Sequence, residues 1–305
     1  YLRGGTGDDV FLFGRGDGHD TIQNGESNLG GINTLHFKHG VQPSDLRFKA
    51  VDGHLQITIK DSGESVRLLY FFDPRTSTTN PVQRVEFADG GAWDLDMLVN
   101  AYHAGSEVSE HLIGTSAGDS MFGQGGDDSL AGYAGDDVLS GGPGNDTLMG
   151  GLGHDWLQGD AGDDLLTGHD GDDTLDGGQG NDRLDGYSGA NVYLFGKGDG
   201  QDVISRDYSP SPSRQNTVYF KPGVTPAEVT ARRAGNDLIL GIDGTSDQIT
   251  VQFFFYMEDP QHAFNPVQNV RFEDGTHWDL QAIVARALAG SASADNLLGT
   301  VWPDT

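Results

Sequence analysis

Residues 114–194 read GTSAGDSMF, GQGGDDSLA, GYAGDDVLS, GGPGNDTLM, GGLGHDWLQ, GDAGDDLLT, GHDGDDTLD, GGQGNDRLD and GYSGANVYL in nine consecutive blocks of nine residues. Eight blocks carry Asp at the sixth position, and all nine carry a large apolar residue at the eighth. The ninth block has Asn191 where the others have the acid. Unrelated turns would not hold such a register, so the pattern predicts one repetitive structure.

Each block has the chemistry of a turn followed by a short strand. Six residues rich in Gly, Asp and Asn predict a turn with positive φ, and three residues with a central apolar side chain predict a strand that points one group inward. Two blocks then close one flat turn of a roll, so that equivalent positions recur every 18 residues about 4.8 Å apart. One edge collects Asp119, Asp137, Asp155 and Asp173, and the other collects Asp128, Asp146, Asp164 and Asp182.

Stacked carboxylates at that spacing require a cation. Neighbouring charges would repel by about 3–4 kcal/mol at an effective dielectric of about 20. Carboxylate and main-chain oxygens from Gly-rich loops favour calcium over magnesium, and the absence of Cys and of a recurring His disfavours zinc and copper. Pairs 18 residues apart give three full sites on each edge. Two weaker sites are expected where Glu110 faces Asp128 and where Asp173 faces Asn191.

The blocks resemble the glycine-rich, haemolysin-type calcium-binding repeat of RTX proteins. This resemblance implies a mainly all-β fold in which a parallel β-roll is flanked by small antiparallel β units, each ending in one helix. The flanking segments are similar to the haemolysin-type calcium-binding-related domain found between RTX blocks. Because Gly-rich loops lose much conformational entropy and the repeats bury few apolar groups, we expect the roll to be disordered without calcium.

A longer duplication frames the roll. VFLFGRGDGHDTI at residues 10–22 returns as VYLFGKGDGQDVI at residues 192–204, and VQRVEFADGGAWDL at residues 82–95 returns as VQNVRFEDGTHWDL at residues 267–280. Apolar residues at helical spacing then predict helices near residues 95–103 and 280–288. The predicted organisation is the end of a preceding roll (1–22), a β-rich module with a C-terminal helix (23–104), the β-roll (105–204), a second such module (205–289) and the start of a further roll (290–305).

Four further acids are metal candidates. Asp9 and Asp295 are sixth-position residues of the additional blocks GGTGDDVFL and GSASADNLL. Asp20 and Asp202 follow their predecessors by eleven residues, with Asp17 and Asp199 as candidate helpers in the same loops. For these loops the alternative is a capping turn that only closes the open edge of the roll.

Composition agrees with a calcium-dependent exported protein. The chain has no Cys, 46 acidic and 18 basic residues, and a formal net charge of −28. This charge favours cations over nucleic acids as partners, and no apolar run approaches the roughly 18 residues of a membrane span. The chain begins inside a repeat, which suggests a piece of a longer protein.

The sequence thus predicts a non-enzymatic structural segment of a large secreted RTX protein, such as an adhesin, bacteriocin-like protein or toxin, exported by type I secretion. It would bind about six to ten calcium ions and contact other domains of the same parent chain. We predict no catalytic residues. The paired carboxylates, which could suggest a glycosidase, are already assigned as metal ligands, and the sequence has no HExxH motif. The alternatives are a glycan- or cell-surface-binding module and the accessory C-terminal region of a secreted hydrolase.

Overall fold

The computed structural model describes residues 1–23, 31–72, 80–205, 215–261 and 265–289, so that Asp295 lies outside the described residues. Two compact units are formed, one by Tyr1–Ser106 with Glu110–Ser116 and the other by Glu107–Ser109 with Ala117–Thr305. Strands account for 46% of the structure and the described residues include two α-helices, which confirms the predicted all-β class.

The first unit contains ten strands and one α-helix among its described residues. They are β1 (Leu2–Arg3), β2 (Val10–Phe13), β3 (His19–Gln23), β4 (Thr34–Phe37), β5 (Leu46–Val51), β6 (His54–Ile59), β7 (Ser65–Leu68), β8 (Arg84–Phe87), β9 (Ala92–Asp94), α1 (Leu95–His103) and β10 (His111–Ile113). One sheet has the order β1-β3-β7-β6-β5 and a second has the order β2-β4-β8-β9. The side chain of Asp94 caps α1 by accepting the Met97 N–H at 2.8 Å.

The second unit contains the nonapeptide roll and a β module. Its elements are β11 (Ser120–Phe122), β12 (Ser129–Ala134), β13 (Val138–Pro143), β14 (Thr147–Leu152), β15 (Trp156–Ala161), β16 (Leu165–Asp170), β17 (Thr174–Asp176), β18 (Arg183–Asp185), β19 (Val192–Phe195), β20 (Gln201–Ile204), β21 (Thr217–Phe220), β22 (Val229–Ala234), β23 (Asp237–Ile242), β24 (Gln248–Val251), β25 (Asn269–Phe272), β26 (His277–Trp278) and α2 (Leu280–Leu288). Its strands form two sheets, ordered β12-β14-β16-β18-β20-β24-β23-β22 and β11-β13-β15-β17-β19-β21-β25-β26.

Consecutive blocks alternate between these two sheets, and residues 18 apart are parallel partners. Leu139 pairs with Leu157, and Leu157 pairs with Leu175. The eighth-position side chains from Met121 to Leu184 are fully buried between the sheets. The predicted 18-residue stacking and inward-facing position are therefore both confirmed.

The central strands of the roll are longer than the three residues predicted from the blocks. In β12, pairing with β14 resumes after the first position of the next block, so that Tyr133 lies opposite Gly151 and Ala134 opposite Leu152. The backbone around the second position continues the hydrogen bonding, which gives strands of six residues. The observed turn is therefore shorter than the six residues predicted.

Within the described residues, part of each flanking module is antiparallel, as in β5, β6 and β7 of the first module. β22, β23 and β24 pair antiparallel, as do β25 and β26. By contrast, β20 pairs parallel with β24, and β19 pairs parallel with β21, which pairs parallel with β25. The predicted antiparallel units are thus corrected to mixed sheets, because the first strands of the module continue the parallel sheets of the roll.

Positive φ is needed at two positions of the block. The fourth position is Gly in every block from Gly126 to Gly189, with φ between 101° and 155°. A Cβ on Gly153 would lie 2.0 Å from the carbonyl oxygen of Gly135, so that both conformation and space require glycine there. The second position is also left-handed but accepts other residues, including Tyr133 at φ 75° and His169 at φ 76°.

Candidate metal centre

The sixth-position acids form two continuous hydrogen-bonded ladders along the edges of the roll. The backbone N–H of each acid donates to Oδ1 of the acid in the next turn. On one edge Asp119 donates to Asp137 at 2.7 Å, Asp137 to Asp155 at 2.9 Å, and Asp155 to Asp173 at 3.0 Å. On the other edge Asp128 donates to Asp146 at 2.7 Å, Asp146 to Asp164 at 2.7 Å, and Asp164 to Asp182 at 2.8 Å. The structure therefore brings together all eight acids predicted from the register.

In six of these eight carboxylates the second oxygen is buried and makes no hydrogen bond within the described residues. Among the described residues, Oδ2 has no hydrogen-bond partner in Asp9, Asp137, Asp146, Asp155, Asp164, Asp173, Asp182 and Asp202. All of these except Asp9, which is partly exposed, have only 1–3% of their surface exposed. Because an unsatisfied buried carboxylate oxygen is costly, a row of such oxygens points to a ligand that the protein itself does not supply.

In the regular blocks, the glycine at the first position lies beside this oxygen. A Cβ on Gly132 would lie 2.2 Å from Oδ2 of Asp137 and 2.7 Å from the carbonyl oxygen of Gly150 in the next turn. A Cβ on Gly159 would likewise lie 2.3 Å from Oδ2 of Asp164 and 2.4 Å from a carbonyl oxygen of the next turn. The same small space is thus bordered by a carboxylate oxygen and by a main-chain oxygen from the next loop, the donor types that calcium accepts.

Burial also makes the ionised carboxylates unfavourable. Desolvation raises the pKa of Asp137, Asp164 and Asp173 to about 7, and that of Asp182 to about 6. The backbone N–H donated to each acid lowers its pKa, and neighbouring carboxylates raise it again. A cation beside Oδ2 would offset this penalty and keep the acids ionised.

A second ladder, which the sequence reasoning missed, runs along the fifth position of the blocks. Asn145 donates its backbone N–H to Oδ1 of Asp127 at 2.8 Å, and Asp163 donates to Oδ1 of Asn145 at 2.8 Å. His154 accepts in the same way, because the N–H of Asp172 donates to its Nδ1 at 2.9 Å. These bonds run in the opposite direction to the sixth-position ladder, and the sequence signal was the acceptor side chain at every fifth position from residue 127 to 181.

Outside the regular blocks, the candidate acids differ in their surroundings. Asp202 joins the ladder, since the N–H of Asp182 donates to its Oδ1 at 3.0 Å, and desolvation raises the pKa of Asp202 to about 8. Asp9 lies beside Gly4. A Cβ added to Gly4 would lie 2.1 Å from Oδ2 of Asp9. Asp20 is a half-buried residue of β3.

The two loop acids named as candidate helper ligands, Asp17 and Asp199, make a backbone hydrogen bond and a lysine ion pair instead. Asp17 accepts the Gly14 N–H at 2.8 Å and pairs with Nζ of Lys38 at 2.8 Å. Asp199 accepts the Gly196 N–H at 2.7 Å and pairs with Nζ of Lys221 at 2.9 Å. A lysine ammonium therefore neutralises each of these loop acids.

No group of three or more Asp, Glu or His side chains converges as a metal cluster within the described ranges. The ladder agrees with this finding, because the spaces beside Gly132 and Gly159 are each bordered by one carboxylate oxygen and by a main-chain oxygen of the next turn. The donor set fits an oxygen-preferring cation of flexible coordination, which is calcium rather than zinc.

Family comparisons identify the same segments. Residues 113–148, 149–184 and 167–204 match the RTX calcium-binding nonapeptide repeat (4 copies). Residues 54–97 and 237–282 match the haemolysin-type calcium binding protein related domain. The chain therefore carries RTX calcium-binding nonapeptide repeats, with haemolysin-type calcium binding protein related segments on both sides, as the sequence predicted.

Part of the chain also matches an individual protein. The chain is 35% identical over 106 residues to the iron-regulated protein FrpA of Neisseria meningitidis serogroup C, a match that covers 35% of this chain and 9% of the relative. The chain thus spans only a small part of that relative's length.

Two solved structures overlap more of the chain at low similarity. The AlgE6R3 subunit of the Azotobacter vinelandii mannuronan C5-epimerase has 20% identity and a TM-score of 0.25, covering 66% of this chain and 93% of that subunit. The extracellular lipase LipA of Serratia marcescens has 15% identity and a TM-score of 0.25, covering 83% of this chain and 38% of LipA. In the described part of the chain, no helix combines the length and the apolar character that crossing a membrane requires.

Proposed function

We propose that this chain is a calcium-dependent structural segment of a large secreted RTX protein such as an adhesin, bacteriocin-like protein or toxin. It would fold on calcium outside the cell and carry other domains of its parent chain. The chain itself would perform no catalysis. The observation that carries the proposal is the row of buried Oδ2 atoms that lack hydrogen-bond partners within the described residues.

The proposed ligands are the sixth-position acids of the roll together with Asp9, Asp20, Asp202 and Asp295. Calcium would supply positive charge between turns that otherwise hold buried carboxylates about 4.8 Å apart. Each of the seven acids that accept a ladder N–H has two separate tasks in this proposal. Its Oδ1 orients the loop by accepting a backbone N–H, and its Oδ2 is left to ligate the ion.

The calcium concentration around the segment would determine where it folds. Extracellular calcium modules bind with dissociation constants of about 10⁻⁴–10⁻³ M, so such sites stay empty at cytosolic calcium levels. The net charge of −28 then keeps the empty chain extended by self-repulsion. Export by type I secretion before folding is consistent with this order of events.

Hydrogen–deuterium exchange tests the proposal residue by residue. In calcium, the ladder amides of Asp137, Asp146 and Asp164 should be protected for hours, because each N–H is held by the next turn. In chelator they should exchange within seconds, and magnesium at the same concentration should not restore protection. Equal protection of these amides in calcium and in chelator would refute calcium-dependent folding.

A glycan- or cell-surface-binding role is the second candidate, favoured by one observation. Tyr133, His169 and Tyr187 occupy the second position on one edge of the roll, all at positive φ, and Tyr133 is 59% exposed. The His169 and Tyr187 rings stack at 5.2 Å, which makes a flat surface of the kind on which sugar rings pack. A glycan array comparing wild type with Tyr133→Gly tests this role, and loss of a wild-type signal in the variant would support it.

The tryptophans at the ends of the modules offer less support for sugar binding. Trp278 is 3% exposed and lies under the guanidinium of Arg286 at 4.1 Å, and Trp93 is half-buried against Phe87. Both serve as packing groups. The role of accessory region of a secreted hydrolase remains a proposal about the parent chain.

A further inference from the structure

The edge that carries Asp137, Asp155 and Asp173 ends in amides instead of acids. The N–H of Asp173 donates to Oδ1 of Asn191 at 2.9 Å, and the N–H of Asn191 donates to Oδ1 of Asn216 at 2.8 Å. Asn191 is fully buried and Asn216 is 1% exposed. The ladder of backbone bonds therefore continues through two asparagines without interruption.

In Asn191, Nδ2 of the amide occupies the place of the unused carboxylate oxygen. A Cβ on Gly186 would lie 2.4 Å from Nδ2 of Asn191, just as a Cβ on Gly177 would lie 2.2 Å from Oδ2 of Asp182. Unlike Oδ2, this Nδ2 is satisfied, because it donates to the carbonyl oxygen of Ser188 at 3.3 Å. Nδ2 of Asn216 donates to the carbonyl oxygen of Pro266 at 2.9 Å.

The first unit repeats the arrangement independently. There the N–H of Asp9 donates to Oδ1 of Asn33 at 3.1 Å, and Nδ2 of Asn33 donates to the carbonyl oxygen of Pro81 at 3.1 Å. Asn33 is 1% exposed. In both units, therefore, the last acid bonds to an asparagine whose amide is held by a main-chain carbonyl.

We infer that Asn191, Asn216 and Asn33 are specificity-determining residues that terminate the ion stacks. An amide N–H donates a hydrogen bond and cannot ligate a cation, so it links the rung to a main-chain carbonyl without metal. No ion then binds between Asp173 and Asn191, contrary to the weaker site expected from sequence. This inference rests on the proposed function, since it assumes that calcium occupies the rungs with two acids.

The other edge ends in an acid, and the two edges together give the expected number of bound ions. It continues from Asp182 to Asp202, whose Oδ2 has no hydrogen-bond partner among the described residues. One edge therefore offers three pairs of acids, ending at Asp173, and the other offers four, ending at Asp202. The roll should bind seven ions in the rungs defined by paired acids.

Native mass spectrometry with calorimetric titration tests the terminator role. The whole chain should bind one more calcium ion as Asn191→Asp than as wild type, because a carboxylate completes the rung with Asp173. The matched control is Asn145→Asp, which adds the same charge at an exposed fifth position where Oδ1 accepts the Asp163 N–H. That control should bind the wild-type number of ions.

The reverse substitution keeps the test decisive if Asn191→Asp fails to fold. Asp173→Asn should bind at least one ion fewer than wild type, because it removes one of the two acids from the rung that Asp155 and Asp173 form. A wild-type chain that binds no calcium would overturn the proposed function. A wild-type chain that binds calcium, with an unchanged ion count in the variant that folds, would overturn the terminator role.

Discussion

The Oδ1 atom of Asp155 accepts a hydrogen bond of 2.9 Å from the backbone N–H of Asp137, one turn earlier in the roll. The Oδ2 atom of the same carboxylate is buried without a hydrogen-bond partner in the described part of the chain. One side chain therefore holds the backbone of the neighbouring turn and offers a ligand. Substitutions can separate these two tasks.

Asp155→Asn should keep the backbone bond and lose the ligand. Because Asp155 belongs to two adjacent rungs, its loss at calcium ten times above the dissociation constant should cost about 3 kcal/mol of unfolding free energy. Asp155→Ala should cost about 1–3 kcal/mol more, since the buried N–H of Asp137 is left without an acceptor. Chemical denaturation in calcium measures both values. The exposed acid Asp170 provides the control, and an Asp170→Asn variant as unstable as Asp155→Asn would contradict the assignment.

Two glycines of one block should respond differently to alanine. Gly150 lies at the first position, where a Cβ would approach Oδ2 of Asp155 to 2.2 Å, so Gly150→Ala should mainly weaken calcium binding. Gly153 has φ +131° and faces a backbone oxygen at 2.0 Å, so Gly153→Ala should prevent the roll from folding even in saturating calcium. Circular dichroism during calcium titration distinguishes a shifted midpoint from a lost transition. Similar curves for both variants would contradict the distinction.

Acidification should act in opposite directions on the empty and the loaded roll. Burial raises the pKa of Asp137, Asp164 and Asp173 to about 7, well above the unfolded value near 3.9. The calcium-free fold therefore binds protons more strongly than the unfolded chain, and its stability falls as pH rises from about 4 to 7.

In calcium, the same protons compete with the ion. The midpoint of the calcium titration should therefore move to higher calcium concentration as pH is lowered from 8 to 6. Circular dichroism in chelator should show increasing β structure over the same decrease in pH. A calcium midpoint that does not change across this range would mean that the ladder acids do not bind the ion.

Lys221 should stabilise the end of the roll through ion pairs, and not through calcium binding. Its Nζ pairs with Asp176 and with Asp199, whose side chains are only 14% and 9% exposed. Lys221→Met leaves two buried acids without a cation and should cost about 3–5 kcal/mol in unfolding free energy. Lys197→Met removes a surface pair with Glu228 and should cost at most about 1 kcal/mol. Equal melting temperatures for the two variants would argue against the buried ion group.

The register alone was enough to predict the core and the stacking of the acids. A period of nine fixes which residue points inward, so the burial of Leu139 and Leu157 and their pairing 18 residues apart follow from the sequence. Apolar residues at helical spacing also placed α1 and α2 correctly. These features depend on local periodicity, which a single sequence displays.

Features that depend on the direction of backbone groups could not be predicted in this way. Nothing in the block indicates that Oδ1 of Asp155 is used by the preceding turn. The continuation of β19 into β21 is non-local, since the partners Val192 and Thr217 are separated by a segment without the repeat. The fifth-position ladder was visible in principle, but Asp, Asn and His share only their acceptor atoms there.

A calcium titration of the chelated protein, followed by circular dichroism and calorimetry together, tests calcium-driven folding most directly. We expect a cooperative gain of β structure that is complete when about seven ions have bound, one for each pair of ladder acids, and no such gain with magnesium. A chain that already has full β structure in chelator and binds only one or two ions would contradict the role assigned to the aspartate ladders.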